Sequence, residues 1–165
     1  MTLLAAQRGP HMPEPAISLR PASRADADFV FRLTQAGMRD YAVATWGRWD
    51  EAATRASFKP DTHRIIQHEW QDIGCVALED RGDHLDLRKL YVLPPYQNRG
   101  IGTRVLRDVL AAAGKPIRLR VLSVNPARRF YERIGFVVIR STPQRNYMEW
   151  QPEGPSSGIV AAKSW

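Results

Sequence analysis

The sequence predicts an α+β domain in which an antiparallel meander of strands gives way to one βαβ crossover. Three observations carry this expectation. Extended stretches at residues 64–69, 73–80 and 84–93 are separated only by the turn formers Gln71-Asp72 and Arg81-Gly82-Asp83. An amphipathic helix follows, with Ile101, Val105, Val109 and Ala113 recurring every four residues beside Leu106 and Leu110. A strand at 117–121, alternating with Arg118 and Arg120, then leads into a second helix opened by Asn125-Pro126.

Each element has its own local signal. Residues 16–21 suit a short strand. Ser23 can cap a helix over 24–41, because Phe29, Leu33 and Ala36 share one face. A shorter helix fits 50–58. Gly114, with Pro116 just beyond, closes the helix that starts near Ile101. Ala127, Phe130, Tyr131 and Ile134 share a face of the next helix, which Gly135 ends, and strands at 136–142 and 145–150 complete the domain. Residues 1–15, with Pro10, Pro13 and Pro15, and residues 152–165 read as flexible tails around a single domain at 16–151.

Composition narrows the class. The 165 residues are 44% hydrophobic and 25% charged, which fits a globular chain and excludes wholesale disorder. The longest apolar run, residues 109–113, is far too short to cross a bilayer, and the first residues lack the basic segment of a secretory signal. A cytoplasmic location is therefore expected. The single Cys75, in an apolar strand, excludes an internal disulfide and reads as a small hydrophobe. His63, His68 and His84 are too dispersed for a compact metal motif, and no metal is expected.

Charge is unevenly distributed. The net charge is +7, but residues 88–145 carry 13 basic against 2 acidic side chains, and residues 26–86 carry 12 acidic against 7 basic. One half is thus basic and suited to an anionic ligand, whereas the other is mildly acidic.

The segment that carries chemistry is Gln97-Asn98-Arg99-Gly100-Ile101-Gly102, between a strand and a helix. Its glycines let backbone N–H groups approach a ligand, and the free N–H groups of the helix's first turn attract an anion. A phosphate or pyrophosphate fits, with Arg99 and Arg104 available as cations. A dinucleotide-binding fingerprint would need a third glycine at Val105, and a Walker A loop would need Gly-Lys-Ser/Thr, so neither applies.

Gln97-x-x-Gly100-x-Gly102, preceded by Leu90-Tyr91-Val92-Leu93-Pro94 and followed by residues 125–136, resembles the GNAT superfamily of acetyl-CoA-dependent N-acetyltransferases. The resemblance covers the element order of residues 16–150. It implies a mostly antiparallel twisted sheet of about six or seven strands flanked by about four helices, with the CoA site in the βαβ crossover.

The resemblance also implies roles. Backbone groups of Leu90, Tyr91 and Val92 would meet the pantetheine arm of acetyl-CoA. Residues Gln97, Asn98, Arg99, Gly100, Ile101, Gly102 and Thr103 would wrap the pyrophosphate. Asn125 would touch the cofactor from the next crossover, although it precedes Tyr131 by six residues where many members have seven. Tyr131 would protonate the departing thiolate, which a phenol can do; its structural alternative is a core residue on the helix's apolar face. Asp86 would accept the amine's proton as general base. Strand alternation sets it on the face of Arg88, Leu90 and Val92. Glu79, Glu69, Glu149 and water remain alternatives. Trp46, Trp49 and Tyr41 would line the acceptor pocket or pack the first helices on the sheet.

The implied reaction is acetyl transfer to a primary amine by direct attack in a ternary complex, and the acidic half suits a cationic amine. Two alternatives stay open: toxin-like acetylation of aminoacyl-tRNA, and a non-catalytic acyl-CoA-binding module. No aromatic-basic RNA motif is present, so nucleic acid is not expected as a partner. Members of the family often form homodimers, an expectation that no residue here carries by itself.

Overall fold

The computed structural model describes residues 16–153, so the proposed tails at 1–15 and 152–165, save residues 152 and 153, lie outside the described residues. Strand β1 (Ile17–Pro21) leads through a short 3-10 turn into helices α1 (Ala27–Trp46) and α2 (Glu51–Ala56). A meander of β2 (His63–His68), β3 (Gln71–Asp80) and β4 (Leu85–Val92) follows. Helix α3 (Ile101–Ala112), β5 (Ile117–Leu122) and α4 (Ala127–Ile134) form the crossover, and β6 (Val137–Ser141) and β7 (Arg145–Trp150) complete the domain. One seven-stranded sheet runs β1-β2-β3-β4-β5-β7-β6, antiparallel except where β4 meets β5. The α+β fold expected from the sequence is the one observed.

The sheet has a core on each face. Val76, Leu87, Val105, Leu106, Leu119 and Met148 anchor the larger one beneath α3 and α4. Val30, Leu33, Ile65 and Cys75 form the smaller one beneath α1. Cys75 is fully buried there, and burial pushes its thiol pKa up to about 12, which keeps it protonated and inert. Arg20 ties β1 to the 3-10 turn that follows it and to β3, pairing with Asp26 at 2.8 Å and Asp72 at 2.6 Å.

Several boundaries differ from expectation. Helix α1 runs five residues past Tyr41, to Trp46, and stops at Gly47, whose φ of 73° and N–H bond to the Val43 carbonyl terminate it. The β2–β3 turn is Glu69-Trp70, both left-handed, rather than Gln71-Asp72, which lie inside β3. Neither turn residue is a glycine or asparagine, so local composition does not mark it.

The most consequential irregularity is in β4. Ala77 pairs with Lys89 and Leu78 with Leu87, which leaves Arg88 as a bulge. Pairing continues as Glu79 with Asp86 below it and Cys75 with Tyr91 above it. Asp86 therefore shares its face with Lys89 and Tyr91. The alternation that put it beside Leu90 and Val92 is corrected, because one extra residue reverses the faces beyond it.

Candidate active site

β4 and β5 are paired only at Leu85–Ile117 and Asp86–Arg118. Beyond that point they splay, and the gap becomes a wedge of about 630 Å³. The bulge at Arg88 lies just past the last paired residue, where it bends β4 away from its neighbour. Leu93 N–H donates to the Ile73 carbonyl, so its main-chain groups face β3. Alternation then turns those of Leu90 and Val92 toward the wedge. The Val92 carbonyl is already used there by Gln97 Nε2, at 2.8 Å, which ties the following loop to the strand.

That loop is wound for anion binding. Asn98 and Gly100 have φ of 58° and 76°, and Gly100 caps α3. The first closed bond of the helix is Arg104 N–H to the Gly100 carbonyl, which leaves the N–H groups of Ile101, Gly102 and Thr103 at an open N-terminus. Leu90, Val92, Gln97, Asn98, Gly100, Ile101, Gly102 and Thr103 line one groove of about 470 Å³, and Tyr131 closes its inner end. Arg99 does not line it; its guanidinium lies over the Tyr96 ring at 5.6 Å.

Across the wedge, Asn125 Oδ1 accepts the Ala127 N–H at 2.9 Å, and the N-cap of α4 is Pro126, one residue later than the sequence suggests. Asn125 lines the wedge with Tyr91 and Tyr131. The Tyr131 ring sits between Phe130 and Phe136, at centroid distances of 5.1 and 5.6 Å in edge-on contacts. Burial raises its pKa to about 12, which holds the phenol protonated. Burial also raises the pKa of Tyr91, as does the proximity of Tyr131.

A second cleft, of about 680 Å³, opens between α1, α2 and β7. Met38 and Tyr91 line both cavities and form the seam where they join. Trp46 and Trp49 line this cleft, whereas Tyr41 lines the wedge. Gly37 makes the seam possible, since a Cβ there would stand 2.8 Å from the Tyr91 ring. Sequence reading missed Lys89, Arg48 and Arg145 here. Lys89 is 8% exposed, and its Nζ donates to Ser57 Oγ at 2.9 Å. A lysine among Leu87, Leu90 and Val92 was a usable signal; nothing local marked the two arginines.

Asp86 is not brought to the seam. It lies in a separate hollow with Arg81, His84 and Arg118, and pairs with Arg88 at 3.3 Å and with Arg81 and Arg120 at 3.8 Å. Glu79 is held by Lys59 and Arg81, and Glu149 by Arg118 at 2.6 Å. Glu69 sits in the β2–β3 turn. No Asp or Glu of the described residues lines the wedge.

Comparison with known proteins agrees with this geometry. Residues 60–138 match the family model described as an acetyltransferase (GNAT) domain. Proteins named as uncharacterized N-acetyltransferases from Mycobacterium tuberculosis and Mycobacterium bovis are 37% identical over 97 residues, 53% of this chain. The chain spans 62% of those relatives' length. The fold is also that of the PaiA N-acetyltransferase of Thermoplasma acidophilum, solved with coenzyme A (TM-score 0.66, 19% identity, 82% of this chain and 99% of that one). The ribosomal-protein-S18-alanine N-acetyltransferase of Escherichia coli is similar again (TM-score 0.65, 16% identity, 88% and 99%). The splayed β4–β5 pair and the glycine loop capping α3 both fall within the segment, residues 60–138, that is similar to the GNAT acetyltransferase domain.

Proposed function

We propose that the protein is an N-acetyltransferase that joins the acetyl group of acetyl-CoA to a primary amine in a ternary complex. The observation that carries this reading is the seam. A wedge lined by unpaired β4 backbone and by Tyr131 opens, at Met38 and Tyr91, into a separate cleft suited to an acceptor. The residues fit the cofactor: the left-handed turn at Asn98 and Gly100 and the open N-terminus of α3 suit a pyrophosphate, and the wedge beside the unpaired backbone of β4 suits the pantetheine arm.

Acetyl-CoA would supply a thioester carbonyl, which an amine converts to an amide as the carbon–sulfur bond breaks. In this reading the outward backbone groups of Leu90 and Val92 hold the arm in line and polarise the carbonyl. Tyr131 donates its phenolic proton to the sulfur as it leaves. With Asp86 engaged by three arginines in another hollow, water in the open cleft takes the amine's proton.

The test is calorimetric titration with acetyl-CoA, with NADH as control, followed by thiol-release assays over a panel of amines. Micromolar binding of acetyl-CoA alone, with thiol release on adding an amine, is expected. Failure to bind would make the Gln97–Gly102 loop a structural turn only.

A further inference from the structure

Granted acyl transfer at the seam, the walls of the adjoining cleft decide which amines reach it. The acidic surplus of residues 26–86 is spent elsewhere. Asp26 and Asp72 face Arg20, Glu79 faces Lys59 and Arg81, and Asp80 faces Lys115. The one carboxylate lining the cleft among the described residues, Asp50, caps α2, with Oδ1 accepting the Ala53 N–H at 2.9 Å.

The cations of the cleft are, by contrast, uncompensated. Arg48 and Arg145 line it, and neither lies within ion-pair distance of a described carboxylate. The Arg145 guanidinium is stacked 5.1 Å over the Trp46 ring, which holds its donors at the mouth. On the wedge side of the seam the ammonium of Lys89 is buried, and its one described partner, the hydroxyl of Ser57, belongs to a residue that lines the cleft. Burial lowers the lysine's pKa, as expected of a charge without a counterion. The Trp49 indole N–H, in the same wall, is shielded and has no acceptor among the described residues. Leaving the buried Lys89 without a counterion and the shielded Trp49 N–H without an acceptor is costly unless a ligand answers them, while Arg48 is exposed and free to meet one.

We propose that the acceptor is an amino-acid-type molecule, a primary amine that also carries a carboxylate and a flat apolar side chain. Arg145 and Arg48 hold the carboxylate at the mouth, the rings of Trp46 and Tyr91 take the side chain, and the amine points to the seam. The positive potential from Lys89 there disfavours an ammonium and so favours the neutral, attacking form of the amine. A polyamine or other purely cationic acceptor is excluded by the same charges.

L-Phenylalanine and phenethylamine, which differ only in the carboxylate, separate the cases. Each is titrated calorimetrically into the protein, with and without CoA. Phenylalanine is expected to bind about tenfold or more tightly than phenethylamine, the effect of a charge-assisted pair. Arg145→Gln is expected to erase that preference, whereas Arg107→Gln, the same charge loss on the exposed face of α3, leaves it. Circular dichroism confirms that both variants fold. Equal or tighter binding of phenethylamine, binding of neither probe, or a preference that survives Arg145→Gln overturns the proposal. Acetyl-CoA titration judges the acyl-transfer reading separately.

Discussion

Tyr131 shows how packing sets the protonation state of a side chain. Its ring is fixed by Phe130 and Phe136, and the burial that fixes it also raises its pKa to about 12. The phenol therefore keeps its proton throughout the neutral range. Tyr131→Phe keeps the ring contacts and removes the proton donor. It is expected to lower kcat by roughly 100-fold with the calorimetric Kd for acetyl-CoA unchanged; unchanged turnover would remove Tyr131 from the chemistry. His63 is a case where burial bears on stability. It is 2% exposed, its Nδ1 lies 2.8 Å from the Lys59 carbonyl, and its Nε2 has no described partner. Desolvation, aided by Lys89, lowers its pKa from 6.5 to about 4. Between those values the unfolded chain binds a proton that the folded chain refuses, so stability falls as pH falls through that window. The loss is on the order of 3 kcal/mol, and His63→Phe is expected to flatten the fall in Tm between pH 7 and pH 4 relative to the parent. Tyr131 was legible in the sequence from its helical face and its family motif. The burial of His63 was not, because it depends on Phe58 and Lys89 arriving from other elements.

The loop into α3 was the most legible element, and its glycines do what their spacing predicts. Gly100 has φ of 76°, and a Cβ there would meet nothing within 4 Å, so the cost of a side chain is backbone strain alone. Gly100→Ala is expected to cost about 1–2 kcal/mol, seen as a Tm lower by a few degrees. Acetyl-CoA binding should weaken as the loop relaxes; a variant with unchanged Tm and Kd would show that the left-handed turn is dispensable. Strand β4 was legible as a strand but not as a bulged one. A bulge is a property of a pair, and the residues that disclose it, Ala77 and Leu78, belong to β3. The face of Asp86 was misread on that account, because regular alternation along β4 does not continue through the bulge.

At the scale of the whole molecule the charge split bears on the proposed cofactor. The basic stretch 88–145 supplies most of the wedge lining and the loop before α3, which suits the polyanionic cofactor proposed above. Raising salt from about 0.05 to about 0.5 M shortens the screening length severalfold. It is expected to weaken acetyl-CoA binding severalfold in calorimetry, with little effect on an uncharged thioester fragment that lacks the phosphates. Equal sensitivity of the two would mean that the basic surface plays no part in binding. The acidic stretch, by contrast, places only Asp50 in the second cleft among the described residues, while Asp72, Glu79 and Asp80 are engaged in ion pairs with Arg20, Lys59 and Lys115.

The order of elements, the meander, the crossover and the anion-binding loop could be read from the chain because each depends on neighbours a few residues away: a helical or alternating period, a cap, a glycine turn. The splay of β4 from β5, the bulge at Arg88, the seam at Met38 and Tyr91 and the positive cleft of Arg48, Lys89 and Arg145 emerged only on folding. Each depends on which distant residue pairs with which, and the sign of a charged surface depends on which charges remain once the pairs are made.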